Sequence, residues 1–316
     1  MTKKLMRSPI ALCAATYLIL VGALVAIYFP YQTDVGVPPP PPIEQQYYEK
    51  VYSAEEAKQE AKYVELARKA ASYYDVTGEV RKFVAANNLQ NARVLEVGAG
   101  TGMLQDVVEN YTGLDISASA RKYFHKPFVQ GDARALPFKD NEFDSVWSVW
   151  VLEHVPHPEL SLREIRRVVK PGGYIYLFPA FGTQSWVAQG YDARPYSDFG
   201  AGGKVVKAST LVRGSKAFKI SYLAPIRALR LGWWKLAGGE TNFHYRSLEP
   251  NYQQYWEPDG DAVNSLDNYE TYLWFVSRGD TCLNRSSQSD ALVQLGQPLE
   301  IRVDKPSEIA SGSTPR

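Results

Sequence analysis

The feature that most constrains this 316-residue chain is a short apolar segment that runs directly into alternating glycines. Arg93–Gly102 reads R-V-L-E-V-G-A-G-T-G, and the next residues, Met103–Asn110, are compatible with a helix. Glycines permit a positive φ and let a ligand approach the backbone, while the free N–H groups at a helix start face that ligand. The segment therefore predicts a strand–turn–helix unit that binds a nucleotide-like molecule.

The spacing of the glycines argues against a nicotinamide-dependent oxidoreductase. Gly98, Gly100 and Gly102 follow the pattern G-x-G-x-G. The dinucleotide fingerprint G-x-G-x-x-G/A fails in both registers, because Met103 or Gln105 stands at its last position.

Acidic residues recur in or after the predicted strands. Glu96 lies inside the first strand, and Asp115 ends a second apolar segment that begins at Tyr111. An acid at the carboxyl end of the second strand is well placed to accept hydrogen bonds from two ribose hydroxyls. Asp132 follows a third segment, and its carboxylate is suited to accept from an exocyclic amine such as that of adenine.

The order of these elements continues with a fourth strand near Phe143–Val155, an amphipathic helix, Lys170–Gly173 and a fifth strand at Tyr174–Phe178. The series resembles the class I S-adenosylmethionine-dependent methyltransferases, in particular the methyltransferase type 11 branch. The resemblance covers about residues 93–180. It implies a Rossmann-like three-layer α/β/α sandwich with a mostly parallel sheet, and it implies S-adenosyl-L-methionine as the cofactor.

The resemblance also implies roles for particular residues. Glu96 and the glycine turn would hold the methionine part of the cofactor, Asp115 the ribose, and Asp132 the adenine. Residues at the end of the fourth strand would lie beside the sulfonium. The cofactor-binding residues implied in this way are Glu96, Gly98, Ala99, Gly100, Gly102, Asp115, Ile116, Asp132, Ala133, Ser148 and Val149.

The triplet Leu152–His154 is the most interesting for chemistry. Methyl transfer is an in-line displacement, and an oxygen nucleophile must also lose its proton, for which histidine has a suitable pKa. His154 is therefore the candidate catalytic base, although the triplet is common in the family and also fits a positioning role. Some related quinone-pathway methyltransferases look like they bind a divalent metal through a more acidic version of this stretch. Here Val149 and Trp150 occupy the places where an additional carboxylate would be needed, so no metal is predicted.

The amino-terminal region predicts a membrane anchor. Residues 1–8 form a basic tail, and Pro9–Phe29 carries no charge over a length sufficient to cross a bilayer as a helix. The run is longer than that of a typical signal peptide, which favours an uncleaved transmembrane helix. The basic tail favours a catalytic domain outside the cytoplasm, whereas the cytosolic origin of S-adenosylmethionine favours the cytosolic side. Both orientations stay open.

The remaining boundaries follow from composition. Residues 30–46 are predicted to be a proline-rich spacer, with five consecutive prolines at Pro38–Pro42. Residues 47–303 are predicted to be the methyltransferase domain, with 93–180 as its cofactor half and 181–261 as a variable substrate insertion. Residues 304–316 are predicted to be a disordered tail.

The insertion has an unusual charge pattern. From Phe199 to Gly239 there are eight basic residues and no acidic one, and several apolar residues accompany them between Ala224 and Leu236. This pattern fits a membrane surface, an anionic substrate or a helix that packs its apolar face in the core. The three interpretations stay open at this point.

The sequence thus predicts a membrane-anchored methyltransferase that acts on a small-molecule, lipid or glycan acceptor, most simply at oxygen. The alternative is a non-catalytic, membrane-tethered scaffold that keeps the fold. Nucleic acid is not a predicted partner, because the charges nearly cancel (35 basic, 34 acidic) and Ser148–Val151 lacks the proline-aromatic tetrad that grips a flipped base. No protein partner is predicted.

Overall fold

The computed structural model describes residues 9–28, 32–34, 43–53, 59–252 and 258–305. The predicted basic tail, the proline run and residues 306–316 of the predicted tail lie outside these ranges. Within the predicted spacer, the carboxylate of Asp34 accepts hydrogen bonds from the backbone N–H of Glu159 (2.7 Å) and the hydroxyl of Tyr245 (2.8 Å). Residues 32–34 therefore lie against the domain.

The centre of the fold is a seven-stranded sheet with the strand order β3-β2-β1-β4-β5-β9-β8. Strands β1 to β5 run parallel, whereas β9 is antiparallel to both β5 and β8. Strands β6 and β7 form a separate antiparallel pair. The strands are β1 (Val94–Val97), β2 (Tyr111–Asp115), β3 (Phe128–Gln130), β4 (Phe143–Val149), β5 (Val169–Phe178), β6 (Arg246–Ser247), β7 (Asn264–Ser265), β8 (Thr281–Cys282) and β9 (Leu299–Arg302).

Nine helices are described in these ranges. They are α1 (Pro9–Tyr28), α2 (Ile43–Ser53), α3 (Gln59–Tyr73), α4 (Val76–Ala86), α5 (Pro158–Val168), α6 (Ala201–Arg213), α7 (Lys216–Ala237), α8 (Asn268–Val276) and α9 (Gln288–Val293). The side chain of Asp267 accepts a hydrogen bond from Tyr269 N and caps α8.

Helices cover both faces of the sheet, and successive strand residues alternate between them. Leu95 and Ile175 pack on one face with α5 and α8, whereas Val94 and Trp147 pack on the other face with α4. A parallel sheet that is buried on both faces has this arrangement, and its strands are apolar almost throughout. The predicted three-layer, Rossmann-like fold with a mostly parallel sheet is confirmed.

The predicted transmembrane anchor is wrong. None of the helices in the described ranges combines the length and the apolar character that crossing a bilayer requires. Residues 9–28 do form a helix, α1, but it lies along α7, and the Tyr17 hydroxyl donates a hydrogen bond to the carbonyl oxygen of Ser221 (3.3 Å).

The helix expected after the glycines is also not formed. Residues 103–110 are a series of turns, in which Gln105 N bonds Gly102 O and Val107 N bonds Leu104 O, each three residues back. The side chain of Gln105 binds the carbonyl of Tyr123 and the N–H of His125, and the β-branched pair Val107–Val108 has low helix propensity. The loop therefore lacks the helix N-terminus that the sequence predicted.

The basic insertion directs two of its arginines into the protein. Arg227 of α7 is buried and donates to Asp267 (3.1 Å), and buried Arg230 donates to both carboxylate oxygens of Glu270 (2.7 and 2.9 Å). Leu229, Trp233 and Leu236 of the same helix are exposed. The helix therefore buries two arginines in ion pairs and leaves part of its apolar surface outside the core.

Candidate functional site

The glycine loop lies at the carboxyl edge of the sheet, between β1 and β2. Backbone N–H groups of Gly98 and Ala99 both donate to Leu114 O, at 2.8 and 2.9 Å, which ties the loop to β2. Gly98 has a φ of 74°, in the left-handed region that favours glycine, and a Cβ built there would lie 2.2 Å from Val151 Cγ2. Glycine is thus required at this position both by the backbone and by the space available.

Asp115 ends β2 and organises the loop. Its Oδ2 accepts a hydrogen bond from Gly100 N (2.8 Å), and its Oδ1 accepts one from Ser117 N (3.0 Å). Burial raises the pKa of this carboxyl to about 6, although the N–H donors favour the charged form. Each oxygen retains a second lone pair, so the carboxylate can still accept two hydrogen bonds from a ligand.

Glu96 is the second buried acid at this edge. It lies in β1 and accepts a short hydrogen bond from the Tyr111 hydroxyl. Burial raises its pKa to about 8, although the bonds from Tyr111 and Trp147 act in the opposite direction. At neutral pH the free protein therefore holds Glu96 largely protonated.

The raised pKa predicts how stability depends on pH. Native Glu96 keeps its proton up to about pH 8, whereas the unfolded chain releases it near 4.5, so the native state binds more protons between these values. The free energy of unfolding should then fall as pH rises through this window, by up to about 1.4 kcal/mol per pH unit. Urea unfolding between pH 5.5 and 7.5 should show a steeper fall in wild type than in Glu96→Gln, which can still accept the Tyr111 bond. Equal slopes in the two proteins would contradict the prediction.

Two cavities meet at the glycine loop and form one cleft. The smaller, of about 80 Å³, is lined by residues that include Asp115, Ile116, Asp132 and Ala133. The larger, of about 410 Å³, is lined by residues that include Glu96, Ala99, Gly100 and Val149. Both cavities share Tyr52, Tyr63, Gly98, Trp150 and His154.

Most of the predicted cofactor residues therefore line this cleft, and two do not. Gly102 faces Gln105 and Phe124, and the Ser148 side chain is buried in β4. Asp132 is in the smaller cavity, but its carboxylate accepts hydrogen bonds from the backbone N–H of Arg134 (2.8 Å) and from its guanidinium (2.6–3.0 Å).

Helix α2 covers the cleft and supplies contacts that the sequence did not predict. Glu49 accepts hydrogen bonds from Ala118 N (2.6 Å), Ser119 N (3.1 Å) and the Ser117 hydroxyl (3.1 Å) just after β2. The hydroxyl of Tyr52 lies 3.0 Å from the position of a Cβ on Gly100. No local pattern marks these residues, because their partners lie far along the chain.

His154 ends a short 3₁₀ turn after β4 and lies among carboxylates. Its Nδ1 is 3.5 Å from Asp261 Oδ2 and its Nε2 is 3.8 Å from Glu153 Oε1. Burial alone would lower the pKa of His154, but Asp261, Glu153 and Asp259 raise it overall. Glu153, His154 and Asp259 each place one potential metal-ligand atom within 4.8 Å of the others. The sequence singled out His154 but not Asp259 or Asp261.

Comparison with known proteins gives this region a family. The family model described as "Methyltransferase domain" (Methyltransf_11) matches residues 95–177. A demethylmenaquinone methyltransferase from Renibacterium salmoninarum is 36% identical over 137 residues, which cover 35% of this chain and 57% of that protein. A ubiquinone/menaquinone biosynthesis C-methyltransferase from Pseudomonas savastanoi pv. phaseolicola is 35% identical over 133 residues, covering 36% and 52% respectively.

A third relative is named as an O-methyltransferase, whereas the second is named as a C-methyltransferase. A fatty-acid O-methyltransferase from Mycolicibacterium smegmatis is 34% identical over 119 residues, covering 32% of this chain and 43% of that protein. The chain thus spans about half the length of these relatives. For residues 95–177, the predicted resemblance to the class I methyltransferases is confirmed.

Proposed function

We propose that this protein transfers a methyl group from S-adenosyl-L-methionine to a small-molecule or lipid acceptor, because residues 95–177 match the methyltransferase domain model. The observation that carries the proposal is the cleft at the carboxyl edge of the sheet. There Asp115 both fixes the glycine loop through Gly100 N (2.8 Å) and keeps lone pairs for a ligand. Open α/β sheets bind their ligands at this edge.

The donors and acceptors that line the cleft suit the cofactor. Gly98 lines both cavities, so a ligand in the cleft can contact the backbone of the glycine loop there. We assign the ribose to Asp115 and the methionine ammonium to Glu96, whose deprotonated form that cation would favour. When bound, S-adenosylmethionine supplies an electrophilic methyl group on a sulfonium sulfur.

The protein's own contribution is to position the acceptor and exclude water. The larger cavity is lined by aromatic side chains, among them Tyr52, Tyr63, Tyr74 and Trp150, together with His154. These rings offer an apolar surface with polar tips. We propose that an acceptor hydroxyl reaches His154 and that the imidazole takes up the hydroxyl proton, which leaves the oxygen as the nucleophile.

The acceptor class is proposed from the relatives and from the lining of the cleft. The relatives' names specify demethylmenaquinone and a fatty acid as acceptors, which are small molecules of largely apolar character. The aromatic lining suits such an acceptor. These relatives include one named as a C-methyltransferase and one named as an O-methyltransferase. The proposal that an oxygen atom receives the methyl group therefore rests on the polar groups around His154.

The test is cofactor binding followed by transfer. Full-length protein titrated with S-adenosylmethionine in a calorimeter should bind one molecule per chain, and S-adenosylhomocysteine should compete with it. Labelled methyl groups should then pass to acceptors drawn from quinols, fatty acids and glycans. A folded protein that binds neither nucleoside would overturn the proposal and favour the non-catalytic scaffold.

A further inference from the structure

We propose that Glu153, His154 and Asp259 bind a divalent transition-metal ion at the wall of the cleft. One potential ligand atom from each residue lies within 4.8 Å of the other two, and Glu153 Oε1 is 3.8 Å from His154 Nε2. Atoms that share an ion at bonds of about 2.1 Å lie roughly 3 to 4 Å apart, so small side-chain adjustments would complete the site.

The state of Glu153 is the first independent observation that indicates a ligand. Its side chain is completely buried, and neither carboxylate oxygen makes a hydrogen bond of good geometry to a described residue, although the backbone N–H groups of Glu153 and Ala180 act to lower its pKa. Buried carboxylates are normally paired, hydrogen-bonded or bound to a metal. The unpartnered oxygens of Glu153 lie beside His154, where a cation would satisfy them.

The surroundings of His154 are the second observation. Its other ring nitrogen, Nδ1, lies 3.5 Å from Asp261 Oδ2, and Asp261 is itself held by the Tyr48 hydroxyl at 2.8 Å. A metal-binding histidine usually directs its free N–H to a carboxylate, which fixes the tautomer and the orientation of the ring. Asp261 is in place to fix His154 with Nε2 towards the ion.

The sequence alone predicts no metal here, because Val149 and Trp150 occupy the positions near His154 where a further carboxylate would be needed. The third ligand, Asp259, comes from the turn before β7, far along the chain. Only the fold brings it beside β4.

The donor set indicates the kind of ion. One imidazole nitrogen with two carboxylates suits Mn²⁺, Fe²⁺ or Zn²⁺, whereas Ca²⁺ and Mg²⁺ prefer oxygen ligands alone. His154 and Asp259 both line the larger cavity, so the ion would keep positions open to the cleft. This consequence rests on the proposed function. With an ion bound, His154 would be a ligand and not the base, so an acceptor hydroxyl bound at such a position would release its more acidic proton to water.

The experiment uses full-length protein stripped with a chelator and dialysed. A titration with MnCl₂ is monitored by calorimetry and by the electron paramagnetic resonance signal of free Mn²⁺, and it should show one bound ion per chain. Added Zn²⁺ should displace the bound Mn²⁺. Glu153→Gln and Asp259→Asn should each weaken Mn²⁺ binding at least tenfold. Asp261→Asn should weaken it 10- to 100-fold through the orientation of His154.

The matched controls lie on the surface. Asp106→Asn and His125→Gln alter an exposed carboxylate–imidazole pair, 2.9 Å apart, and should leave Mn²⁺ binding unchanged. Thermal melts verify that each variant is folded. Glu153 is completely buried, so Glu153→Gln is the variant at greater risk of misfolding. Asp259 is only partly buried, so Asp259→Asn tests the site even if Glu153→Gln does not fold. No Mn²⁺ or Zn²⁺ binding by folded wild type, or binding unchanged in Asp259→Asn, would overturn the proposal.

S-adenosylmethionine binding is measured on the same stripped samples to separate the two proposals. Cofactor binding without metal binding overturns only the metal site. Metal binding without cofactor binding overturns only the proposed function.

Discussion

Asp115→Ala should reduce the affinity for S-adenosylmethionine about 100-fold or more. The substitution removes the carboxylate that we assign to two ribose hydroxyls, and hydrogen bonds to a charged group contribute about 1.5–3 kcal/mol each. In the wild-type protein Gly100 N donates a hydrogen bond to Asp115 Oδ2 at 2.8 Å, and the substitution removes this bond, which shapes the loop. Calorimetric titration at pH 7.5, above the pKa of about 6, measures the effect with the wild-type carboxylate ionised.

Two further variants separate charge from fold in this experiment. Asp115→Asn keeps the size and one accepting oxygen, so it should lose less affinity than Asp115→Ala. Asp106→Ala removes an exposed carboxylate and should bind the cofactor as wild type does. Unchanged affinity in Asp115→Ala, with a normal thermal melt, would exclude Asp115 from the cofactor site.

Gly98→Ala should destabilise the protein by about 2–5 kcal/mol. A left-handed φ costs an alanine about 1–2 kcal/mol, and forcing a methyl group into a packed region typically costs about 1–3 kcal/mol more. Here φ is 74° and the new Cβ would lie 2.2 Å and 2.5 Å from the two methyl groups of Val151. Either Val151 or the loop must move, and cofactor binding should weaken with it. Urea unfolding measures the change in stability.

Gly172→Ala is a matched control for this prediction. Gly172 has nearly the same φ, 76°, but a Cβ there would meet no atom within 4 Å. Gly172→Ala should therefore lower the free energy of unfolding only by the cost of a left-handed φ. The double variant Gly98→Ala/Val151→Ala should recover only the part of the lost free energy that comes from the contact with Val151. Equal destabilisation by the two single substitutions would show that contact with Val151 contributes nothing.

The sheet could be predicted from the sequence more completely than the segments that surround it. The strands β1, β2 and β4, the glycine turn and the acids in or after the strands could all be found from the sequence, because each is encoded by a few consecutive residues. Parallel strands place their carboxyl ends at one edge, so Glu96 and Asp115 necessarily meet there once the strands form. The position of the cleft follows from local sequence.

Elements that depend on contacts made after folding were predicted less well. Residues 103–110 are compatible with a helix, but the side-chain bonds of Gln105 to Tyr123 and His125 favour a series of turns. The apolar run at residues 9–29 gave an anchor that the structure does not support. The basic and apolar residues of α7 left a membrane surface, an anionic substrate and core packing open from the sequence. In the structure, Arg227 and Arg230 are buried in ion pairs with Asp267, which caps α8, and with Glu270 within α8.

The sequence by itself located the strands, the glycine loop and the two acids at its edge, because strand patterns and turn chemistry act over a few residues, whereas the parallel arrangement of the strands was implied by the family resemblance. Only the tertiary structure decided which side chains close the cleft. Glu49 of α2 reaches the turn after β2, and Asp259 and Asp261 reach His154 from the other end of the domain. Such contacts join residues far apart in the chain, and they form only when burial of the sheet's two faces brings those segments together.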